Sequence, residues 1–138
     1  MTDPPATLLS FAIAPVETSR DARGWVSNLL DHLPLPAAGL RNIHIVQLRP
    51  GLIRGNHRHH RQNEWIVLCG GPCRVVVVWE GRRREETIVG DVPVMLTLPA
   101  GTPHAIRYEG IGEAFLVSFT DQEYSFEHPD VERVELLV

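Results

Sequence analysis

Three histidines and one glutamate stand out in this sequence because their types and spacing suit a divalent metal ion. His57 and His59 are two residues apart, Glu64 follows five residues later, and His104 lies forty residues further on. Residues two apart on a β-strand point to the same face, so the two imidazoles can converge while Arg58 points away. Three nitrogens and one carboxylate leave one or two positions for water or substrate. The sequence therefore predicts a metal site that is suited to chemistry.

The set of donor atoms limits which metals can bind but does not identify one. Neutral imidazole suits zinc, iron, nickel or copper, and the carboxylate of Glu64 also suits manganese and iron. The alternative interpretation is a histidine-rich surface loop, with His104 as a hydrogen-bonded core histidine. His60 is expected to face solvent, because it points to the opposite side of the chain from His59.

The elements that must position these residues are predicted to be short β-strands. Apolar stretches end at turn-forming residues such as Pro50-Gly51 and Gly70-Gly71-Pro72. Four consecutive valines in Cys73–Trp79 are typical of a strand that is buried on both faces. We predict strands at 41–49, 64–69, 73–79, 85–89, 94–98, 105–108 and 113–120, and a further one at 131–138.

Many short strands without a helix-length period favour an all-β sandwich or barrel. A single helical turn is expected at most, near residues 26–32. The length of 138 residues predicts one domain. Residues 1–40 are expected to add edge strands and loops to it, and residues 41–138 to form the barrel.

Composition narrows the class of function. A net charge of −4 argues against nucleic acid as the main partner, because phosphate binding needs a basic face. Arg82-Arg83-Arg84 is interpreted as a solvated hairpin tip. No stretch approaches eighteen apolar residues and no secretory signal is evident, so we expect no membrane span and a cytoplasmic location. Cys69 and Cys73 lack the C-x-x-C spacing and are expected to be free thiols.

The metal constellation also resembles the two signature motifs of the cupin superfamily. The first motif, G-x5-H-x-H-x4-E-x6-G, runs from Gly51 to Gly71, and the second is carried by Gly90, Pro99, Gly101 and His104. This resemblance implies a single-domain double-stranded β-helix, also called a jelly-roll barrel. Proteins of this kind are usually dimeric, so a homodimer is expected.

A narrower resemblance begins at Arg54. The segment Arg54-Gly55-Asn56-His57 is similar to the R-G-x-H segment of nucleotide-sugar epimerases and ketoisomerases with this fold, and to the cupin domain of capsular-polysaccharide reductase/epimerase proteins. Asp21-Ala22-Arg23-Gly24-Trp25 is similar to a segment near the start of such proteins. The resemblance implies a small-molecule substrate, a nucleotide-linked keto sugar. It also makes zinc the first candidate for the metal, followed by iron, manganese or nickel.

The resemblance raises a question about His57. In the family, the histidine of the R-G-x-H segment acts as a base, and the rhamnose-type epimerases need no metal. A metal-bound His57 has no free lone pair, so another group must then move the proton. His44, Tyr108 and Tyr124 are the candidates, although each is also compatible with simple packing or surface placement. Arg54, and after it Arg41, are candidates for binding a diphosphate through paired hydrogen bonds.

Three functions therefore remain open on the sequence. The first is an epimerase or isomerase of a nucleotide-linked keto sugar in polysaccharide biosynthesis. The second is an Fe(II)-dependent dioxygenase of a small organic substrate, since the same ligands suit iron. The third is a non-catalytic module that binds a sugar or another small ligand.

Overall fold

The strands of this protein form two facing antiparallel sheets. The computed structural model describes residues 9–31 and 39–138. Within those ranges the strands are β1 (Ala12–Pro15), β2 (Ser19–Asp21), β3 (Gly24–Val26), β4 (Asn42–Leu48), β5 (Ile53–Arg58), β6 (Glu64–Cys69), β7 (Cys73–Trp79), β8 (Arg82–Ile88), β9 (Val94–Leu98), β10 (His104–Tyr108), β11 (Ala114–Thr120) and β12 (Glu132–Arg133). One 3-10 turn, Leu29–Asp31, lies within the stretch where a single helical turn was expected.

One sheet has the strand order β1-β9-β6-β11-β4, and the other has the order β12-β5-β10-β7-β8. Strands β2 and β3 form a separate two-stranded hairpin. Apart from the pair β7 and β8, neighbouring strands in each sheet are not consecutive in the sequence, as in a jelly roll. The all-β prediction and its jelly-roll form are confirmed.

The main core lies between the two sheets. Inward side chains from both sheets pack there, among them Leu48, Leu68, Val75, Leu96 and Ile106. Of the four valines predicted to be buried, Val75, Val76 and Val77 have almost no exposed surface, and Val78 is half-buried. A second cluster covers the outer face of the first sheet and contains Trp65, Val67, Met95, Phe119 and Val16. Cys69 and Cys73 are free thiols, as expected.

Two predicted strand bounds are wrong. Strand β8 begins at Arg82 and not at residue 85, because Glu80 and Gly81 both have positive φ and make a two-residue hairpin turn. Arg82-Arg83-Arg84 therefore lies in an exposed edge strand, where positive charge discourages pairing with another chain.

The strand predicted at 131–138 is limited to Glu132–Arg133. Asn56 has a φ of 55° and interrupts the regular pairing edge of β5. Its side chain then substitutes for a strand: Oδ1 accepts the N–H groups of Leu136 and Leu137, and Nδ2 donates to the Leu137 carbonyl. Arg83 and Arg107 also donate to the carbonyls of Leu136 and Val138, so residues 136–138 are held by side chains and not by a β-ladder.

Gly55 is needed where β5 passes β10. Its φ is 89°, and a Cβ atom on this residue would lie 2.7 Å from the carbonyl oxygen of His104. We predict that Gly55→Ala lowers the free energy of unfolding by at least about 3 kcal/mol, through backbone strain together with this clash. Urea unfolding measures the effect.

Gly51→Ala is the matched control, because Gly51 also has a positive φ but has open space around it. It should cost only the strain of the left-handed conformation, about 1–2 kcal/mol. Equal losses for the two variants would contradict the role assigned to the contact with β10.

Candidate metal centre

The two sheets bring the four predicted ligands to one end of the barrel. His57 in β5 lies opposite His104 in the neighbouring strand β10. Glu64 begins β6 in the other sheet, beside Thr120 of β11. His59 follows β5 in the loop that crosses between the sheets. The site therefore depends on the two sheets facing each other.

The four side chains converge. One ligand atom from each of His57, His59, Glu64 and His104 can be chosen so that all four atoms lie within 4.8 Å of one another. The Oε1 atom of Glu64 is 3.5 Å from Nε2 of His104 and 3.8 Å from Nε2 of His59. The ring of His57 stands 4.8 Å, centroid to centroid, from each of the other two imidazoles.

Hydrogen bonds orient two of the imidazoles. Nδ1 of His59 is 2.7 Å from the carbonyl oxygen of Asp130, and Nδ1 of His104 is 3.0 Å from that of Thr102. A carbonyl oxygen only accepts, so each Nδ1 carries the proton and each Nε2 presents a lone pair to the cluster. Metal-binding histidines commonly have this arrangement. Among the described residues, His57 has no such hydrogen bond at either ring nitrogen.

Glu64 contributes a buried carboxylate oxygen that has no protein donor. The hydroxyl of Ser118 donates to Oε2 at 2.5 Å. The other oxygen, Oε1, is buried and has no hydrogen-bond partner among the described residues. An unpaired buried carboxylate oxygen is costly, and here it faces the lone pairs of two imidazoles. A divalent cation at this point would satisfy all three atoms, so the residues present fit a metal ion.

The protonation of the imidazoles also suits a metal. Burial, and after it the charges of the neighbouring His104 and His59, lower the pKa of His57 to about 4 against the opposing effect of Glu64. Burial likewise lowers the pKa of His104. Both rings are therefore neutral near pH 7, as metal coordination requires.

Two cavities meet at His57. The first has a volume of about 380 Å³ and extends into the barrel; its lining residues are His44, Val46, Ile53, Arg54, Gly55, His57, Glu64, Ile66, His104, Ile106 and Leu116. The second, of about 510 Å³, lies on the side of the 122–131 segment and is lined by His57, His59, Tyr124 and His128 among others. His57 faces both, so the cluster is approached from two sides.

The other predicted site residues divide by their distance from the cluster. His44 and Arg54 line the first cavity, and Tyr124 lines the second. Tyr108 does not reach the cluster: it is four residues from His104 along β10, roughly 13 Å away, and its hydroxyl donates to the Ile111 carbonyl. Its role as a proton carrier is not supported. The residue shares the inward face of His104, but it lies at the far end of the strand.

Arg41 is also outside both cavities. It precedes β4, and its backbone N–H donates to the Thr120 carbonyl. Conversely, the sequence reasoning missed Ser118 and Asp130. A signal for Ser118 does exist, because it is a polar residue in the inward-facing register of an apolar strand. The hydrogen bond from His59 to Asp130 joins residues 71 positions apart, and no sequence pattern indicates it.

No helical segment in the described ranges reaches the length and apolarity that crossing a membrane requires.

The comparisons with known proteins agree with this fold. A family model described as "Polysaccharide biosynthesis C-terminal domain" matches residues 19–132, most of the chain. The chain belongs to this family. The matched residues fold as the jelly roll that the motifs implied.

Individual relatives cover the chain to different extents. Oxalate decarboxylase OxdC of Bacillus subtilis (strain 168) is 35% identical over 80 residues, which is 58% of this chain and 20% of OxdC. The capsular polysaccharide assembling protein CapF of Staphylococcus aureus matches with a TM-score of 0.64 and 21% identity, over 88% of this chain and 35% of CapF. The chain thus spans about a fifth and a third of these two proteins.

A third relative is similar over most of its own length. QdtA of Thermoanaerobacterium thermosaccharolyticum, a sugar 3,4-ketoisomerase solved in complex with TDP, superposes with a TM-score of 0.72. The identity is 14%, over 92% of this chain and 90% of QdtA. At these identities the solved structures show the shared fold alone.

The pKa of His57 predicts a pH dependence of stability in the metal-free protein. The unfolded chain has a histidine pKa near 6.5 and the folded protein one of about 4, so between these values the unfolded chain binds more protons. The free energy of unfolding should therefore fall as the pH drops from about 6.5 to about 4, by on the order of 2 kcal/mol from this residue. Urea unfolding in the presence of a chelator measures it.

His57→Asn removes this contribution, so its stability should depend less on pH across the same window. Parallel curves for the wild type and the variant would contradict the assignment of the buried neutral form to His57.

Proposed function

We propose that this protein binds a divalent metal ion through His57, His59, Glu64 and His104, with zinc as the first candidate and iron, manganese or nickel as the others. The support is the convergence of the four ligand atoms and the buried Oε1 of Glu64 without a donor. A bound ion would act as a Lewis acid that polarises a substrate carbonyl.

We propose further that the protein is an epimerase or isomerase of a nucleotide-linked keto sugar in polysaccharide biosynthesis. The observation that carries the proposal is the first cavity: an imidazole outside the ligand cluster, His44, and a guanidinium, Arg54, share it with His57, Glu64 and His104. Membership of the polysaccharide biosynthesis family supports the pathway, and the likeness to a sugar 3,4-ketoisomerase bound to TDP supports the substrate class. A cytoplasmic location remains part of the proposal.

His44 is proposed as the group that moves the proton. Epimerisation or isomerisation next to a ketone needs a base at the carbon and stabilisation of the developing oxyanion. His44 lies on the inner face of β4 at the exposed mouth of the cavity, where solvent can exchange its proton. Its Nδ1 is 3.4 Å from the side-chain amide of Asn42, which restrains the ring. Tyr124 is the alternative proton carrier, on the side of the second cavity.

Arg54 is proposed to bind the diphosphate. One of its guanidinium nitrogens, Nη2, donates to the Gln47 carbonyl at 3.2 Å, which directs the side chain along the cavity wall. The remaining N–H groups stay available for phosphate oxygens. The apolar walls formed by Val46, Ile53 and Ile66 suit the face of a deoxygenated sugar ring.

Solvent exchange tests the reaction. Metal-loaded protein incubated in D₂O with a 4-keto sugar nucleotide should introduce deuterium next to the ketone. His44→Gln should slow the exchange by about 10²–10⁴-fold, the usual contribution of a positioned acid or base. Mass spectrometry of the recovered sugar measures the rate.

His60→Gln is the matched control, because His60 is exposed and pairs with Glu132 outside the first cavity. It should leave the rate unchanged. No exchange with any of several 4-keto sugar nucleotides would overturn the proposed reaction, and normal exchange in His44→Gln would overturn the role of His44.

Substrate affinity tests the role of Arg54. Arg54→Lys loses the paired donors and should raise KM about tenfold or more with a smaller effect on kcat. Arg41→Lys changes the same residue type outside the cavity and should leave KM unchanged. Steady-state kinetics on the keto sugar nucleotide separates the two results, and a larger effect at Arg41 would reverse the assignment.

A second candidate is Fe(II)-dependent dioxygenation of a small organic substrate. The donor set suits iron, and the match to oxalate decarboxylase OxdC, whose name gives a small organic acid as substrate, supports a substrate of that class. Oxygen uptake that depends on Fe(II) and disappears in His57→Ala would favour this reaction. Tight ligand binding without turnover would instead favour a non-catalytic module.

We also propose a homodimer formed through the outer face of β4 and β11. Ile43, Ile45 and Phe115 are exposed there, and β4 is an edge strand of its sheet. Contiguous exposed apolar side chains at a sheet edge are typical of an interface.

Ile45→Lys should shift the protein from dimer to monomer in analytical ultracentrifugation, because it inserts an unpaired charge into this apolar surface. Val89→Lys is the control, since Val89 is as exposed as Ile45 but follows β8 at the opposite edge of the other sheet. A stable Ile45→Lys dimer would contradict the proposed face.

A further inference from the structure

The loop that joins two of the candidate ligands has an unusual set of hydrogen bonds. Residues 60–63 connect His59 to Glu64, and all four of their backbone N–H groups donate to carboxylates. Asp130 accepts those of His60 at 3.1 Å, Arg61 at 2.9 Å and Gln62 at 2.9 Å. Asp121 accepts that of Asn63 at 2.9 Å. Both aspartates belong to the segment that follows β11.

Asp130 holds the imidazole as well as the loop. Its main-chain carbonyl accepts the Nδ1–H of His59 at 2.7 Å, while its carboxylate accepts the next three backbone N–H groups. The residue therefore restrains the direction of the His59 ring and the path of the chain immediately after it.

Asp121 extends the same restraint to His104. Its Oδ2 accepts the side-chain Nδ2–H of Asn63 at 2.8 Å, and Oδ1 of that asparagine accepts the N–H of Ala100 at 2.8 Å. The neighbouring Gly101 N–H donates to the His59 carbonyl. Residues 99–103, which lead into His104, are thus joined to the loop that carries His59.

We propose that Asp130 and Asp121 are positioning residues that set the affinity of the metal site. This inference rests on the proposed metal binding. It adds that the hydrogen bonds of Asp130 and Asp121 hold the ligands in position before the metal binds. Without the two carboxylates, four consecutive N–H groups lose their partners, and the chain between two ligands gains conformational freedom that binding must then remove. Loss of an outer residue that orients a ligand typically weakens metal binding 10- to 100-fold.

The test is the zinc affinity of purified full-length protein, measured by competition with a chromophoric chelator. Asp130→Ala should weaken zinc binding 10- to 100-fold and change the visible absorption of the cobalt(II)-substituted protein. Asp130→Asn retains one acceptor oxygen and should recover part of the affinity. Asp121→Asn, which acts through Asn63, should give a smaller loss. If Asp130→Ala does not fold, zinc binding by Asp130→Asn and Asp121→Asn provides the test instead.

Asp21→Ala is the matched control. The carboxylate of Asp21 also accepts a backbone N–H, that of Arg23, but it lies on the β2–β3 hairpin away from the cluster. It should leave the zinc affinity and the cobalt spectrum unchanged, whatever its effect on urea unfolding.

Two failures are distinguishable. A wild type that binds zinc tightly, together with folded Asp130 variants that bind it within about twofold of the wild type, would overturn the positioning role alone. A wild type that binds no zinc or cobalt would overturn the proposed metal site and this inference with it. Loss of affinity in Asp21→Ala equal to that in Asp130→Ala would also overturn the inference, because the effect would then follow general stability.

Discussion

The buried carboxylate of Glu64 is the constraint on which the rest of this structure depends. One of its oxygens is satisfied by Ser118, and the other faces two imidazole nitrogens without a donor. Burying such a group costs free energy unless something compensates it. The fold keeps it at the point where the two sheets meet, which is the place where histidines from the opposite sheet can share a cation with it.

The surrounding backbone departs from regular strand geometry in order to meet this constraint. Gly55 allows β5 to approach the backbone of His104 closely, and Asn56 takes a left-handed conformation directly before His57. Asn56 also holds the last residues of the chain against the sheet through its side chain. The glycine and the asparagine of the R-G-N-H segment thus have structural reasons that are independent of any substrate.

The three histidines are not equivalent. His59 and His104 are oriented by main-chain carbonyls, and their Nε2 atoms face Glu64. His57 has no orienting hydrogen bond among the described residues and faces both cavities. The resemblance to epimerases implies a base at this position, whereas the proposed metal site uses His57 as a ligand. The weaker restraint on its ring is compatible with either role.

The sequence by itself determined the all-β class, most of the strands and the four residues of the cluster, because period-two alternation and turn residues define strand faces locally. The jelly-roll form was implied by the resemblance of the two motifs to those of cupins. Only the tertiary structure decided how far each candidate side chain lies from the cluster and which side chains line the cavity. Tyr108 has the right face but lies at the wrong end of its strand, and Arg41 lies outside the cavity. Asp130 and Ser118 contact His59 and Glu64, which are 71 and 54 residues away, and Asp121 contacts Asn63, which is 58 residues away. These contacts form only when the sheets pack together. Alternation along one strand carries no information about which distant strand or loop faces it.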